Sequence, residues 1–89
     1  MQISIDQELL DICKDIHKRS LSSSEWSEVE SSDMFQSKNY CGGFDADENE
    51  FCFSYYQSSN QEIWFQFGLE TIQEILAGKT TKLEARKAQ

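Results

Sequence analysis

The sequence predicts an α+β domain: a three-stranded antiparallel meander over about residues 39–67, with amphipathic helices at about 5–19 and 69–77 packed on one face in a two-layer arrangement. Three observations lead there. Rings and aliphatic side chains alternate with polar ones through NYCGGFDADENEFCFSYYQSSNQEIWFQF. Two clusters of Asp, Asn and Ser interrupt that stretch. Apolar residues recur at helical spacing on either side of it.

Aromatic and β-branched residues favour pleated, half-buried surfaces, which places strands at 39–45, 50–56 and 62–67. The breaks at 46–49 and 57–61 are rich in residues that bond locally to the backbone and stabilise turns. If Asp45 faces Glu50 and Tyr56 faces Glu62, then Phe44 meets Phe51, Gly42 meets Phe53 and Tyr40 meets Tyr55. Beyond the central strand, Tyr55 meets Ile63, Phe53 meets Phe65 and Phe51 meets Phe67. All these residues share one face, because side chains alternate with a period of two; a slip by one residue would turn every ring to water. Gly42 leaves room for the Phe53 ring, and the Gly42–Gly43 pair suits a bulge. The opposite face carries Cys41, Gly43, Asp45, Glu50, Cys52, Ser54, Tyr56, Glu62, Trp64 and Gln66. Large aromatics among acids are unusual on a solvated face, so cover from another part of the chain or from a partner is expected there.

The first helix follows from Ser4 and Gln7 in capping-box spacing. Asp6 and Glu8 suit the positive end of its dipole, and Lys14, Lys18 and Arg19 the negative end. Ile5, Leu9, Ile12, Cys13 and Ile16 make its apolar stripe. Ser-rich residues 20–24 end it, and 25–33 reads as a short helical turn holding Trp26 and Val29. Residues 34–38 lead into the first strand. The second helix opens at Gly68, presents Leu69, Ile72, Ile75 and Leu76, and stops at Gly78, which tolerates the left-handed conformation. The basic tail at 79–89 is expected to fray, as termini do. The alternation of Thr81, Leu83 and Ala85 would also fit a short strand on a sheet edge.

Eighty-nine residues make a single domain over 1–89. The net charge is −8, and it is uneven: residues 1–77 carry 15 acids against 4 bases, whereas 78–89 carry 1 acid against 4 bases. An acidic body argues against direct contact with nucleic acid, which takes Lys and Arg to displace counterions. No apolar run approaches the length of a membrane span, about 20 residues. MQISIDQELL lacks the order of a signal peptide, and three Cys at irregular spacing suit reduced thiols, so a cytoplasmic protein is expected.

Cys13 and His17 lie four apart on a helix, and Cys41 with Cys52 could nominally complete a zinc set. The first pair, however, belongs to the core side of the sheet and the second to the far side, so no metal or other cofactor is expected. Asp45, Asp47 and Asn49 imitate the start of a calcium loop. Glu50 and Tyr56 stand where such a loop needs Gly and Glu, and an acidic turn explains the letters. With one His and no nucleophile elbow or phosphate loop, no catalytic residue is assigned and enzymatic activity is not expected. The expected function is that of an acidic protein-binding module, most sharply an inhibitor or immunity-type protein that docks on the basic surface of a nucleic-acid-handling protein. Trp64 and Tyr56 would anchor it, with Asp45, Asp47, Glu48, Glu50 and Glu62 steering the encounter and pairing at the rim. The alternative is an accessory or structural subunit, a homodimer included, whose second face is covered by a copy or a larger complex.

Overall fold

The structure, a computed structural model, describes residues 1–19, 35–58 and 61–87. The expected turn at 25–33 lies outside them. In chain order the elements are β1 (Gln2–Ser4), α1 (Gln7–Arg19), β2 (Phe35–Gln36), β3 (Tyr40–Asp45), β4 (Glu50–Ser58), β5 (Gln61–Phe67), α2 (Leu69–Leu76), β6 (Lys82–Glu84) and β7 (Arg86–Lys87). They form an α+β fold with an antiparallel five-stranded sheet, order β2-β3-β4-β5-β7, and a two-stranded sheet of β1 and β6.

The three central strands pair in the register that side-chain alternation dictates. Tyr40 faces Tyr55, Gly42 faces Phe53, Phe44 faces Phe51 and Asp45 faces Glu50. Phe51 faces Phe67, Phe53 faces Phe65, Tyr55 faces Ile63 and Tyr56 faces Glu62. The four-residue loop between β3 and β4 turns at Asn49, whose φ of 57° is left-handed. Asp45 Oδ1 accepts the Asp47 N–H at 3.0 Å, a local bond that sets the turn.

The sheet is wider than a three-stranded meander. Residues 35–36 do not simply prolong β3; they fold back onto it, Phe35 opposite Gly42 and Gln36 opposite Cys41. The Ser37 N–H closes that tight turn on the Tyr40 carbonyl at 2.9 Å. On the other edge β7 pairs with β5 through Ile63–Lys87 and Trp64–Arg86. Within the basic tail, 82–84 and 86–87 are thus strand rather than a frayed end. Alternation of Leu83 and Ala85, both buried, draws it inward, and Ile3 opposite Leu83 closes the small sheet. Strand β4 also continues to Ser58, with a register shift after Tyr56.

Helix α1 begins two residues later than the capping-box spacing suggests. Ser4 lies in β1, and Asp6 caps the helix: its Oδ1 accepts the Leu9 N–H at 2.8 Å. A carboxylate is a stronger acceptor at the positive helix end than a serine hydroxyl. Gly68 is the N-cap of helix α2, which ends in a Schellman arrangement, the Gly78 N–H on the Ile75 carbonyl and the Lys79 N–H on the Glu74 carbonyl. Gly78 takes φ +78°, as that ending requires.

One core holds these parts together. Leu9, Ile12, Cys13 and Ile16 of α1 and Ile72 and Ile75 of α2 are buried with Phe35, Tyr40, Phe44, Phe51, Phe53, Ile63, Phe65 and Phe67 of the sheet. Phe53, Phe65 and Phe67 stack with centroids 5.6–5.9 Å apart. Both helices therefore cover the aromatic face, and the other face of the sheet points away from the core.

Candidate functional site

The outer face is the by-product of the inner one. Every residue between two inward rings must point outward. That rule places Asp45, Glu50, Cys52, Ser54, Tyr56, Glu62, Trp64 and Gln66 on one surface, all half-buried except Tyr56, which is 49% exposed.

The residues singled out from the sequence fall into two groups on this surface. Asp45 and Glu50 face each other at the base of the β3–β4 turn, and Asp47 and Glu48 are exposed at its tip. Tyr56, Glu62 and Trp64 sit at the far end of β4 and β5, with Tyr56 opposite Glu62 and Ser54 opposite Trp64. Six residues of strand separate Glu50 from Tyr56, about 20 Å. The ground between them is neutral. Gln66 Nε2 donates to Cys52 Sγ at 2.8 Å, and Cys52 Sγ donates to Asp45 Oδ2 at 3.8 Å. Burial raises the Cys52 pKa, and the neighbouring Asp45 and Glu50 charges raise it further, against the Gln66 hydrogen bond that lowers it. That thiol is protonated at neutral pH and serves as a hydrogen-bonding spacer.

Trp64 is not bare. The Arg86 guanidinium stands over its ring, 4.2 Å from the centroid, carried there by the pairing of β7 with β5. Sequence reading missed this residue. With Leu83 and Ala85 inward, alternation puts Arg86 on the outward phase, but only the pairing of β7 with β5 sets it beside Trp64.

A second polar cluster ties α1 to the sheet. The Glu8 carboxylate accepts the Ser37 hydroxyl, the Asn39 N–H at 2.8 Å and the Asn39 amide at 2.8 Å. Burial pushes the Glu8 carboxyl up, but those three bonds and the nearby Lys38 together hold it below its ordinary value. Tyr40 donates its hydroxyl to Asp6 at 3.1 Å and stacks on Tyr55 at 4.6 Å. These contacts clamp the β2–β3 turn to the helix start. Beside them a groove of about 410 Å³ runs between α1 and β2. Its charged walls are already engaged: Glu8 as described, Asp11 by Gln7 at 2.9 Å, and Asp15 by Arg19 at 3.4 Å.

Cys13 is sealed in the core while His17, one turn on, is exposed, and Cys41 and Cys52 lie on the far side of the sheet. Among the described residues no three His, Cys, Asp or Glu side chains converge as a metal site requires. Among those residues no helix is long and apolar enough to cross a membrane.

The geometry defines an α+β domain whose sheet has one sealed aromatic face and one acidic, partly aromatic face. No family model, curated protein or solved structure matches this chain.

Proposed function

We propose that this chain is a non-enzymatic protein-binding module that docks the outer face of its sheet on a basic surface of a partner protein. One observation carries the reading. The outer face and its turn present Asp45, Asp47, Glu48 and Glu50 at one end and Glu62 with Trp64 and the half-exposed Tyr56 at the other, and the basic group among the described residues there, Arg86, is stacked on Trp64. Opposed charge speeds encounter and rejects wrong partners, while Trp and Tyr supply the desolvated anchors that dominate binding energy. The span of about 20 Å from acidic tip to aromatic end suits a standard interface of about 800 Å² per partner.

In its sharpest form the partner handles nucleic acid, and this face blocks the phosphate-binding surface by competing for the same cations. The test uses the intact protein, immobilised, with Trp64→Ala, Glu50→Gln/Glu62→Gln and Asp11→Asn/Asp15→Asn versions beside it. The expected partner is basic, elutes as salt is raised, and is lost from the first two variants while the helix variant retains it. Nucleic acid should compete for it. Equal capture by all forms would remove the outer face from the interface.

A further inference from the structure

We propose that Trp64 is a receptor for an arginine side chain of the partner, and that Arg86 of this chain holds the receptor until the partner's guanidinium replaces it. The inference rests on the docking reading above and names the chemistry the face selects.

Four observations converge on it. The guanidinium of Arg86 lies 4.2 Å above the Trp64 centroid, a cation–π stack on the ring type that favours it most. Among the described residues no carboxylate forms an ion pair with Arg86, so the ring is what holds its exposed head group. Among the described residues, the strand that delivers it, β7, pairs with β5 through Ile63–Lys87 and Trp64–Arg86. Ala85 just before it is buried and bonded in both directions to Met1, so the exchange takes only a rotation of the exposed Arg86 side chain off the ring. Finally, Glu62 lies two residues before Trp64 on the same face, about 7 Å away along the strand. An incoming arginine can stack on the ring and reach toward that carboxylate.

The chain thus carries a low-affinity copy of the ligand it selects. Such a copy shields a half-buried Trp in the free protein and lowers apparent affinity for any competitor by occupying the ring. The exchange also predicts side-chain selectivity. Guanidinium is planar and weakly hydrated and stacks on rings, whereas the lysine ammonium is a compact, strongly hydrated point charge.

The experiment follows Trp64 emission in a Trp26→Phe background, where Trp64 is the remaining tryptophan. Short blocked peptides carrying arginine, or lysine at the same places, are titrated into the full chain with Arg86, Arg86→Lys and Arg86→Ala. An exposed cation–π contact predicts that the arginine peptide binds Arg86→Ala about two- to fivefold more tightly than the parent, with Arg86→Lys between them. The lysine peptide should bind more weakly in each case. If Arg86→Ala alters the fold, seen as a lost far-ultraviolet signal, the Arg86→Lys comparison decides alone, because it keeps the charge on the strand. Unchanged or weaker binding after substitution, or equal binding of the two peptides, overturns the inference. Peptide binding that needs Glu50 and Glu62 but ignores Arg86 also overturns it and leaves the docking face standing. Absence of peptide binding by every form overturns it too, and the docking reading is then judged separately on the captured basic protein.

Discussion

Gly42 lies directly opposite Phe53, and a Cβ built on it would stand 2.7 Å from Phe53 Cδ1 and 2.1 Å from the Cys52 carbonyl oxygen. The close approach of β3 to β4 therefore depends on the missing side chain. Gly42→Ala must move backbone, not a flexible side-chain end, and overpacking of this kind costs about 1–3 kcal/mol. Gly68→Ala is the matched control, since a Cβ there meets nothing nearer than 4.0 Å. Urea unfolding should show a larger drop in midpoint for Gly42→Ala than for Gly68→Ala, whose cost is that of a weaker helix cap; equal midpoints would contradict the packing described.

Glu8 couples stability to acid. Its folded carboxyl titrates below its ordinary value because Ser37 and Asn39 bond the charged form. A depressed carboxyl contributes stability that is full above the unfolded value and is lost as pH falls through the folded one. Stability should therefore decline as pH falls through and below about 4.3, where an unfolded glutamate is half protonated. Glu8→Gln should be less stable at neutral pH and show a shallower decline in acid, read from urea midpoints across pH 3–7. A variant with the parent's acid profile would show that the clamp carries no linkage.

Cys13 couples stability to base. Burial pushes its thiol up to about 12, so the fold admits the thiol and resists the thiolate. Stability from this group is full below the unfolded value, near 8.5, and is lost as pH rises from there toward the folded value. A thiol reagent at pH 8 should label Cys41 and Cys52 well before Cys13, and Cys13 should react only at the rate of opening. Mass spectrometry of the peptides reads the order; early labelling of Cys13 would contradict its burial.

The docking face makes its own demand. Trp64→Ala should weaken binding to the captured basic partner more than tenfold, a loss of about 1.4 kcal/mol or more. Tyr56→Ala should weaken it less, because that ring stands half exposed at the end of the face. Replacing the turn acids Asp47 and Glu48 with their amides should slow association and flatten its salt dependence while dissociation changes little. Surface plasmon resonance separates the two rates, and a Trp64→Ala complex as tight as the parent would sink the assignment.

The residues themselves determined the heart of the sheet. With aromatic side chains spaced two apart on three neighbouring strands, one phase buries them all and the turn lengths select the register within it, so pairings such as Phe44–Phe51 and Phe53–Phe65 were legible in the chain. The helices were legible for the same reason, each presenting a single apolar stripe. The edges were not. Phe35–Gln36 and Arg86–Lys87 are two residues each, too short to announce a strand by themselves, and each is a strand by virtue of its pairing with a neighbour. Asp6 displaced Ser4 as the cap because β1 claims Ser4 by pairing it with Lys82 from the other end of the chain. The stacking of Arg86 on Trp64 was equally out of reach: the two residues are far apart in sequence, and only the closing of β7 on β5 brings cation and ring together. Local alternation thus chose which side chains leave the water, and long-range pairing chose their company on the face that remained outside.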